Sequence, residues 1–288
     1  MQPDQNRLSH AFVSAQDAVE FNRQMSSAGW NLEFLSLEQA PSRLTVEAAQ
    51  SQDLIIQKAY FAGRLRQLGV APAGFITVGM ALDRVDGLVF GNRGCTSNDL
   101  MSFTTNVGLD AITERGYRAF TISVRENRVE EYIESQQMSG IDLRGFSSRS
   151  VSTTLPEFHK ALRITLAEAL GSARSGAPRE RFDSDFDITG QLLEAWSAQN
   201  SITRYQYAAS SRRRNKVIEY INANLSEPLS IDSISRECAI GRKTLERDFK
   251  SHFGLSPKRY INLKRLSAVR KDLLSTTGGP NIQAIVNG

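Results

Sequence analysis

Cysteine is scarce in this 288-residue chain, with only Cys95 and Cys238, far apart in sequence. Two such residues frame neither a disulfide network nor a zinc site, and the usage fits a reducing cytoplasm. Histidine is almost as rare: His10, His159 and His252 stand far from one another. Each is read as a surface or satisfied side chain, so neither a metal nor another cofactor is expected. The opening MQPDQNRLSH lacks the charged-then-apolar layout of a signal peptide. No apolar run approaches the roughly 18 residues of a membrane-spanning helix. Glycine-rich phosphate cradles are missing too: Gly91-Asn92-Arg93-Gly94 and Gly278-Gly279 read as turns. Asp83, Asp86, Asp99 and Asp110 fall near expected turns, which Asp favours for its own backbone bonding. With no nucleophile–base spacing visible, an enzyme is not expected.

What is present begins with an uneven distribution of charge. From Arg212 onward lie 15 of the 35 Lys+Arg and only 7 of the 31 Asp+Glu. The C-terminal part is therefore strongly basic and the remainder slightly acidic, although the whole chain is only +4. A positive charge gathered in one terminal domain suits a polyanion partner, because each neutralised phosphate releases counterions. The length suggests two domains, each able to bury its own core.

The first part reads as strands followed by helices. After a polar lead-in and a short helix carrying Ala18, Val19, Phe21 and Met25, the apolar period changes to two from Trp30. Strands are expected around Leu32–Leu37, Leu44–Ala48, Leu54–Lys58, Phe75–Leu82, Gly87–Gly91, Leu100–Phe103 and Tyr117–Val124. Short strands with frequent turn signals point to a small antiparallel barrel or sandwich. Helices are expected over Arg125–Met138, Leu155–Ala173 and Ile188–Ser201. The stripe Leu155, Phe158, Leu162, Leu166 and Leu170 could pack on the barrel or form a dimer interface. The fold class is α+β: residues 1–172 are expected to form a β-barrel domain with helices, 173–211 a helical linker, and 212–288 an all-α domain. Arg204–Ser211 is the expected connection, and Arg212-Arg213-Arg214 either clamps phosphate or forms a solvated charge run.

Leu229–Leu274 reads as helix, tight turn, helix, second turn and long helix. Ser230 is placed to cap the first helix, with Leu229 and Ile234 as a hydrophobic staple. Ala239-Ile240-Gly241 is short enough to hold two helices at a steep angle. The next helix, Arg242–Phe253, turns Leu245, Phe249 and Phe253 inward. Its other side carries Arg242, Lys243, Glu246, Arg247 and Lys250. A short helix with long basic side chains on its first turns suits a DNA major groove. Gly254 is expected as a left-handed helix stop, Ser256 as a cap and Pro257 at the first position of the last helix. That helix carries Tyr260, Leu263, Leu266 and Leu273 at roughly helical spacing.

This ordered series closely resembles the DNA-binding domain of the AraC/XylS family of bacterial transcription regulators. The matching residues are Leu229-Ser230-Ile231, Thr244-Leu245-Glu246-Arg247 with Phe249-Lys250, Gly254-x-Ser256-Pro257-x-x-Tyr260, and Arg265-Leu266 with Arg270 and Leu273-Leu274. The resemblance implies a cupin-like N-terminal barrel and a helix that reads DNA through Lys243, Glu246 and Arg247, with Arg242, Thr244 and Lys250 assisting or contacting phosphate. It implies double-stranded DNA, a homodimer partner, RNA polymerase and a small-molecule effector, and activation rather than repression. Family members carry a second helix-turn-helix; Ile282-Gln283-Ala284-Ile285-Val286 fits only its opening, so residues 279–288 are expected to be frayed or loosely packed. Two departures are Gly241, where the family usually caps with Ser, and Val269, where Ala is more common. Two rival readings stay open: a dimerising interaction module that antagonises full-length regulators, and a ligand-processing barrel enzyme with an appended domain, which the missing catalytic spacing disfavours.

Overall fold

The computed structural model describes residues 8–27, 30–83, 86–91, 93–104, 108–137, 150–176, 185–204 except 198, and 209–275. Strands are numbered along the chain: β1 (Ser9–Ala15), β2 (Asn31–Ser36), β3 (Leu44–Gln50), β4 (Leu54–Phe61), β5 (Leu65–Val70), β6 (Phe75–Ala81), β7 (Val89–Phe90), β8 (Arg93–Gly94), β9 (Asp99–Phe103), β10 (Leu109–Thr113), β11 (Tyr117–Arg125), β12 (Ser150–Thr154) and β13 (Gln199–Arg204). They form an eight-stranded sheet in the order β1-β3-β4-β11-β6-β9-β12-β13 and a five-stranded sheet in the order β2-β5-β10-β7-β8. Every ladder among the described residues is antiparallel. The fold is α+β as expected, with its strands in two sheets rather than one closed ring.

Because side chains alternate across a strand, the five-stranded sheet supplies two cores. Phe34 of β2 and Leu109 and Ala111 of β10 face the eight-stranded sheet, where they meet Phe21, Trp30, Val46, Phe61 and Met101. The rings of Phe21 and Phe34 sit edge-on at 4.9 Å, and Phe34 and Phe61 at 5.5 Å. Their neighbours Leu35 and Ile112 face the opposite way, into a core shared with the C-terminal helices.

The outer face of the eight-stranded sheet is covered by α2 (Glu126–Ser135), α3 (Pro156–Ser175) and α4 (Asp185–Ser197), while α1 (Ala18–Ser27) follows β1. Leu162, Leu166, Leu170, Leu192, Leu193 and Trp196 pack there on Ile56, Ile76, Val78, Ile122 and Val124. The stripe on α3 is therefore core in its centre, while Phe158 is only half-buried and Leu155 is exposed. At Gly190 of α4 an added Cβ would lie 2.2 Å from the Tyr132 hydroxyl, so the absence of a side chain sets how closely α2 and α4 approach. α3 ends on Gly176, whose φ of 66° makes a left-handed stop.

Several elements differ from the sequence expectation. β1 stands where a polar lead-in was expected; it is an edge strand, and its first four residues are solvent-exposed. β5 and β10 were not anticipated, because Arg66 and Asp110 occupy buried positions and break their apolar alternation. Asp110 lies inside a strand and not at a turn. The helix expected over Ile188–Ser201 ends at Ser197, and the chain continues as β13. Residues 205–208 of the expected connection, and the stub 279–288, lie outside the described residues.

Candidate nucleic-acid interface

Four helices follow: α5 (Ala209–Ala223), α6 (Ile231–Glu237), α7 (Arg242–Phe253) and α8 (Pro257–Ser275). α6 starts with a reciprocal cap. The Ser233 amide donates to Ser230 Oγ at 2.9 Å and the Ser230 amide to Ser233 Oγ at 3.1 Å, satisfying two helix-end donors. Ile234 and Cys238 are buried on its inner side. The turn to α7 passes through Ala239 at φ 53°, a left-handed conformation that a Cβ disfavours. Gly241 caps α7 with no side-chain hydrogen bond. At the far end Gly254 takes φ 67°, and the Arg259 amide donates to Ser256 Oγ at 3.3 Å as α8 begins. The turn chemistry read from sequence is thus reproduced residue by residue.

α7 divides into two faces. Leu245, Phe249, His252 and Phe253 are buried against α5, α6, α8 and the five-stranded sheet. Arg242, Lys243, Glu246, Arg247 and Lys250 are exposed and Thr244 is half-buried. Arg247, at 73 % side-chain exposure, is the most open of those with a recorded ion pair. Arg242 Nε donates to Glu246 Oε1 at 3.2 Å, and its Nη1 lies 3.5 Å from Asp232 Oδ1. Lys250 Nζ donates to the Gly254 carbonyl at 3.2 Å. The six residues singled out from sequence therefore share one helix, five of them open to solvent. In the Arg212–Arg214 run, Arg213 is exposed and Arg214 is buried, so Arg214 is not available to a phosphate. Leu266, expected on the inner stripe of α8, is 62 % exposed, whereas Tyr260 and Leu263 are buried. Arg265 ties α8 back to the end of α5 by donating to the carbonyls of Leu225 at 2.9 Å and Glu227 at 2.5 Å.

Sequence reasoning missed how the helical unit is held. Arg66 of β5, only 1 % exposed, is gripped by both oxygens of Asp110, at 3.1 and 3.3 Å, and donates to the Tyr260 hydroxyl at 2.7 Å. Its guanidinium lies 4.8 Å from the centre of the Phe253 ring. Burial opposes the charged form of Arg66, but Asp110 and Tyr260 outweigh it and leave its pKa raised. Beside it, Arg64 is paired with Glu114 at 2.6 Å and donates to the Phe253 carbonyl at 2.5 Å. Lys264 of α8 meets Glu33 of β2 at 2.5 Å. His252 is enclosed by the same groups: burial, then the nearby Arg214, with Arg66 and Arg64, push its pKa down to about 3 against the pull of Asp110. The available signal was the phenol of Tyr260 on an apolar stripe, since a buried hydroxyl usually finds a partner.

Two cavities differ sharply in size. Between the sheets the space is about 60 Å³, crowded by Trp30, Phe34, Phe61, Phe90, Phe103 and Tyr117. A cleft of about 910 Å³ opens instead between α1, β2 and β5 on one side and Leu225, Lys264, Ser267 and Ala268 on the other. Among the described residues no helix is long and apolar enough to cross a membrane, and no group of three metal-ligating side chains gathers.

Comparison with known proteins agrees with the geometry of α6 and α7. Residues 221–262 match the family described as bacterial regulatory helix-turn-helix proteins, AraC family. The match spans α6, α7 and the start of α8. It is 26 % identical over 114 residues to the HTH-type transcriptional regulator ArgR of Pseudomonas aeruginosa, covering 40 % of this chain and 35 % of that one. To the HTH-type transcriptional activator RhaS of Escherichia fergusonii it is 36 % identical over 58 residues, 20 % of this chain and 21 % of the other. The chain thus spans about a third or less of the length of these relatives. Among solved structures it is similar to the AraC-like transcriptional activator CuxR, with a TM-score of 0.48 and 13 % identity over 89 % of this chain and 94 % of that one. It is also similar to ToxT from Vibrio cholerae, with a TM-score of 0.30 and 11 % identity over 98 % and 88 %.

Proposed function

We propose that this protein is a sequence-specific regulator of transcription that reads double-stranded DNA with α7, as a homodimer in the cytoplasm, and activates in response to a small-molecule effector. One observation carries the reading. A helix of a family-matched helix-turn-helix presents Arg242, Lys243, Glu246, Arg247 and Lys250 to solvent while its other face is fixed in a core. Arg suits guanine, Glu the amino group of cytosine, and Lys the phosphates, so the face has the chemistry for a major groove. On this reading Thr244, half-buried at the first turn, assists or contacts phosphate.

On this reading residues 1–172 sense and dimerise, 173–211 connect, and 212–288 bind DNA, with RNA polymerase as a further partner at the promoter. The room for an effector supports the cleft over the inter-sheet space, since small-molecule sites usually enclose about 300–1,000 Å³ and only the cleft is of that size. The cleft touches both the β domain and α8, so its occupant would contact sensing and reading parts at once.

The test is a titration of the full chain against DNA fragments from upstream of its own gene, across a range of salt. One fragment bound far more tightly than random DNA, with affinity falling steeply as salt rises, is the expected result. Equal binding to every fragment would overturn the reading.

A further inference from the structure

We infer that Arg64, a residue of the β domain, is a positioning residue for DNA reading: it completes the C-terminal cap of α7 and holds that helix at the angle from which it meets DNA. The inference rests on the assignment of α7 as the reading helix and adds a residue far from the DNA-facing side.

A helix ends with carbonyls that have no partner within the helix, and its C-terminus carries partial negative charge. In α7 the Gly254 amide bonds back to the Lys250 carbonyl at 3.0 Å, and Lys250 Nζ reaches the Gly254 carbonyl. The Phe253 carbonyl is met by Arg64 Nη1 at 2.5 Å, across 189 positions of sequence. The guanidinium lies close to the helix stop: a Cβ at Gly254 would be 2.7 Å from Nη1 and 3.2 Å from Cζ. Glycine is favoured there by its φ of 67°, and its lack of a side chain leaves the space that the Arg64 guanidinium occupies.

Arg64 is itself held at both ends. Its Nε donates to Glu114 Oε1 at 2.6 Å, and its carbonyl accepts from the Leu37 amide at 2.9 Å. Two residues along, Arg66 faces the same helix end and lies over the Phe253 ring. The two arginines therefore fix α7 to the β domain by its last turn, at the end opposite Arg242 and Lys243. None of these contacts covers Arg247 or Lys243, so the docked arrangement leaves the reading face open. Losing the cap would let α7 tilt. Sequence-specific binding needs side chains placed on base edges and would suffer, whereas non-specific binding depends on charge and would not.

The experiment compares wild type, Arg64→Ala, Arg64→Lys and Glu114→Ala, with Arg247→Ala as control, on the tightest upstream fragment and on random DNA. Arg64→Ala is expected to weaken the specific complex roughly tenfold, with random-DNA affinity and the salt slope unchanged. Arg64→Lys is expected to recover part of the loss, and Glu114→Ala to show a smaller loss of the same kind. An unchanged ratio of specific to random binding in Arg64→Ala overturns the inference. A salt slope shallower by about one also overturns it, because Arg64 would then be a phosphate ligand. Should Arg64→Ala fail to fold, Glu114→Ala decides, since it leaves the guanidinium in place and removes the acceptor that anchors its Nε; no change in its ratio overturns the inference. If Arg247→Ala is also without effect, the assignment of α7 has failed, and not the role of Arg64 alone.

Discussion

Arg66 and Tyr260, 194 positions apart, meet through a 2.7 Å hydrogen bond from the guanidinium to the phenol oxygen. The bond joins β5 to α8 in a place from which water is excluded, and Asp110 neutralises the arginine from the other side. Such a pair is weak evidence for net stability, because desolvation of the charges offsets much of their attraction. Breaking it is another matter, since a buried guanidinium is then left short of a partner.

Tyr260→Phe keeps the ring packed against Phe249 and Phe253 and removes only the hydroxyl. Hydrogen bonds to charged groups contribute about 1.5–3 kcal/mol, and a loss of that order is expected in urea denaturation. Asp110→Ala is expected to cost more, about 3–5 kcal/mol, because it removes the charge that compensates Arg66. If Asp110→Ala were the milder of the two, Asp110 would not be the arginine's main counter-charge.

The turn between α6 and α7 carries two small defects that substitution should repair. Ala239 holds φ 53°, so Ala239→Gly is expected to raise stability by about 1 kcal/mol despite the added freedom of the unfolded chain. A Cβ built at Gly241 meets nothing within 4 Å, and a serine there can accept from the first-turn amides. Gly241→Ser is expected to add a few tenths of a kcal/mol. Both are read as an upward shift of the denaturation midpoint with an unchanged slope.

These local features were legible in the sequence because their causes are local. A serine, a glycine and a proline at fixed offsets determine caps and turns wherever the chain lies, and Ser230, Gly254, Ser256 and Pro257 behave accordingly. β3 and β4, with their apolar alternation, and β6, with its near-continuous apolar run, were legible for a similar reason. β5 and β10 were not, because their buried Arg66 and Asp110 imitate exposed positions and are explained only by each other and by Tyr260. β1 was hidden by being an edge, where half of the pattern is polar. The exposed face of α7 could be read from its period, but the clamp at its other end depends on residues almost 190 positions away.

Arg247 and Lys250 lie within one turn of each other on α7, yet different consequences are expected from losing them. The Arg247 side chain is 73 % exposed, and its guanidinium can grip two acceptors of a guanine. Arg247→Ala is expected to cost about 1–3 kcal/mol on the preferred fragment and to relax the choice at one base pair. Lys250→Ala is expected to weaken every sequence alike and to reduce the salt slope by about one. Binding curves on the preferred site and on single-base variants of it separate the two. A Lys250→Ala loss confined to one sequence would place that lysine on a base.

His252 gives stability a dependence on pH with a definite sign. Its pKa is about 3 in the folded protein, lowered by burial and by Arg214, Arg66 and Arg64, with Asp110 acting in the opposite direction. The unfolded chain has an ordinary imidazole near 6.5. Between these values the unfolded state binds the extra proton, so stability rises with pH in that window. The contribution is complete above about 6.5 and declines as pH falls towards 3, by at most about 1.4 kcal/mol per pH unit for a single proton. Among the described residues the Nε2 atom has no hydrogen-bond partner, so His252→Leu sacrifices none of their hydrogen bonds at that atom. Urea midpoints at pH 7 and pH 5 should fall less with acidification in His252→Leu than in wild type. Carboxylates also titrate towards pH 5, but they do so in both proteins, and the difference between the two slopes isolates the histidine. Parallel slopes would mean that His252 is protonated in place, and that the arginines around it are better screened than their burial implies.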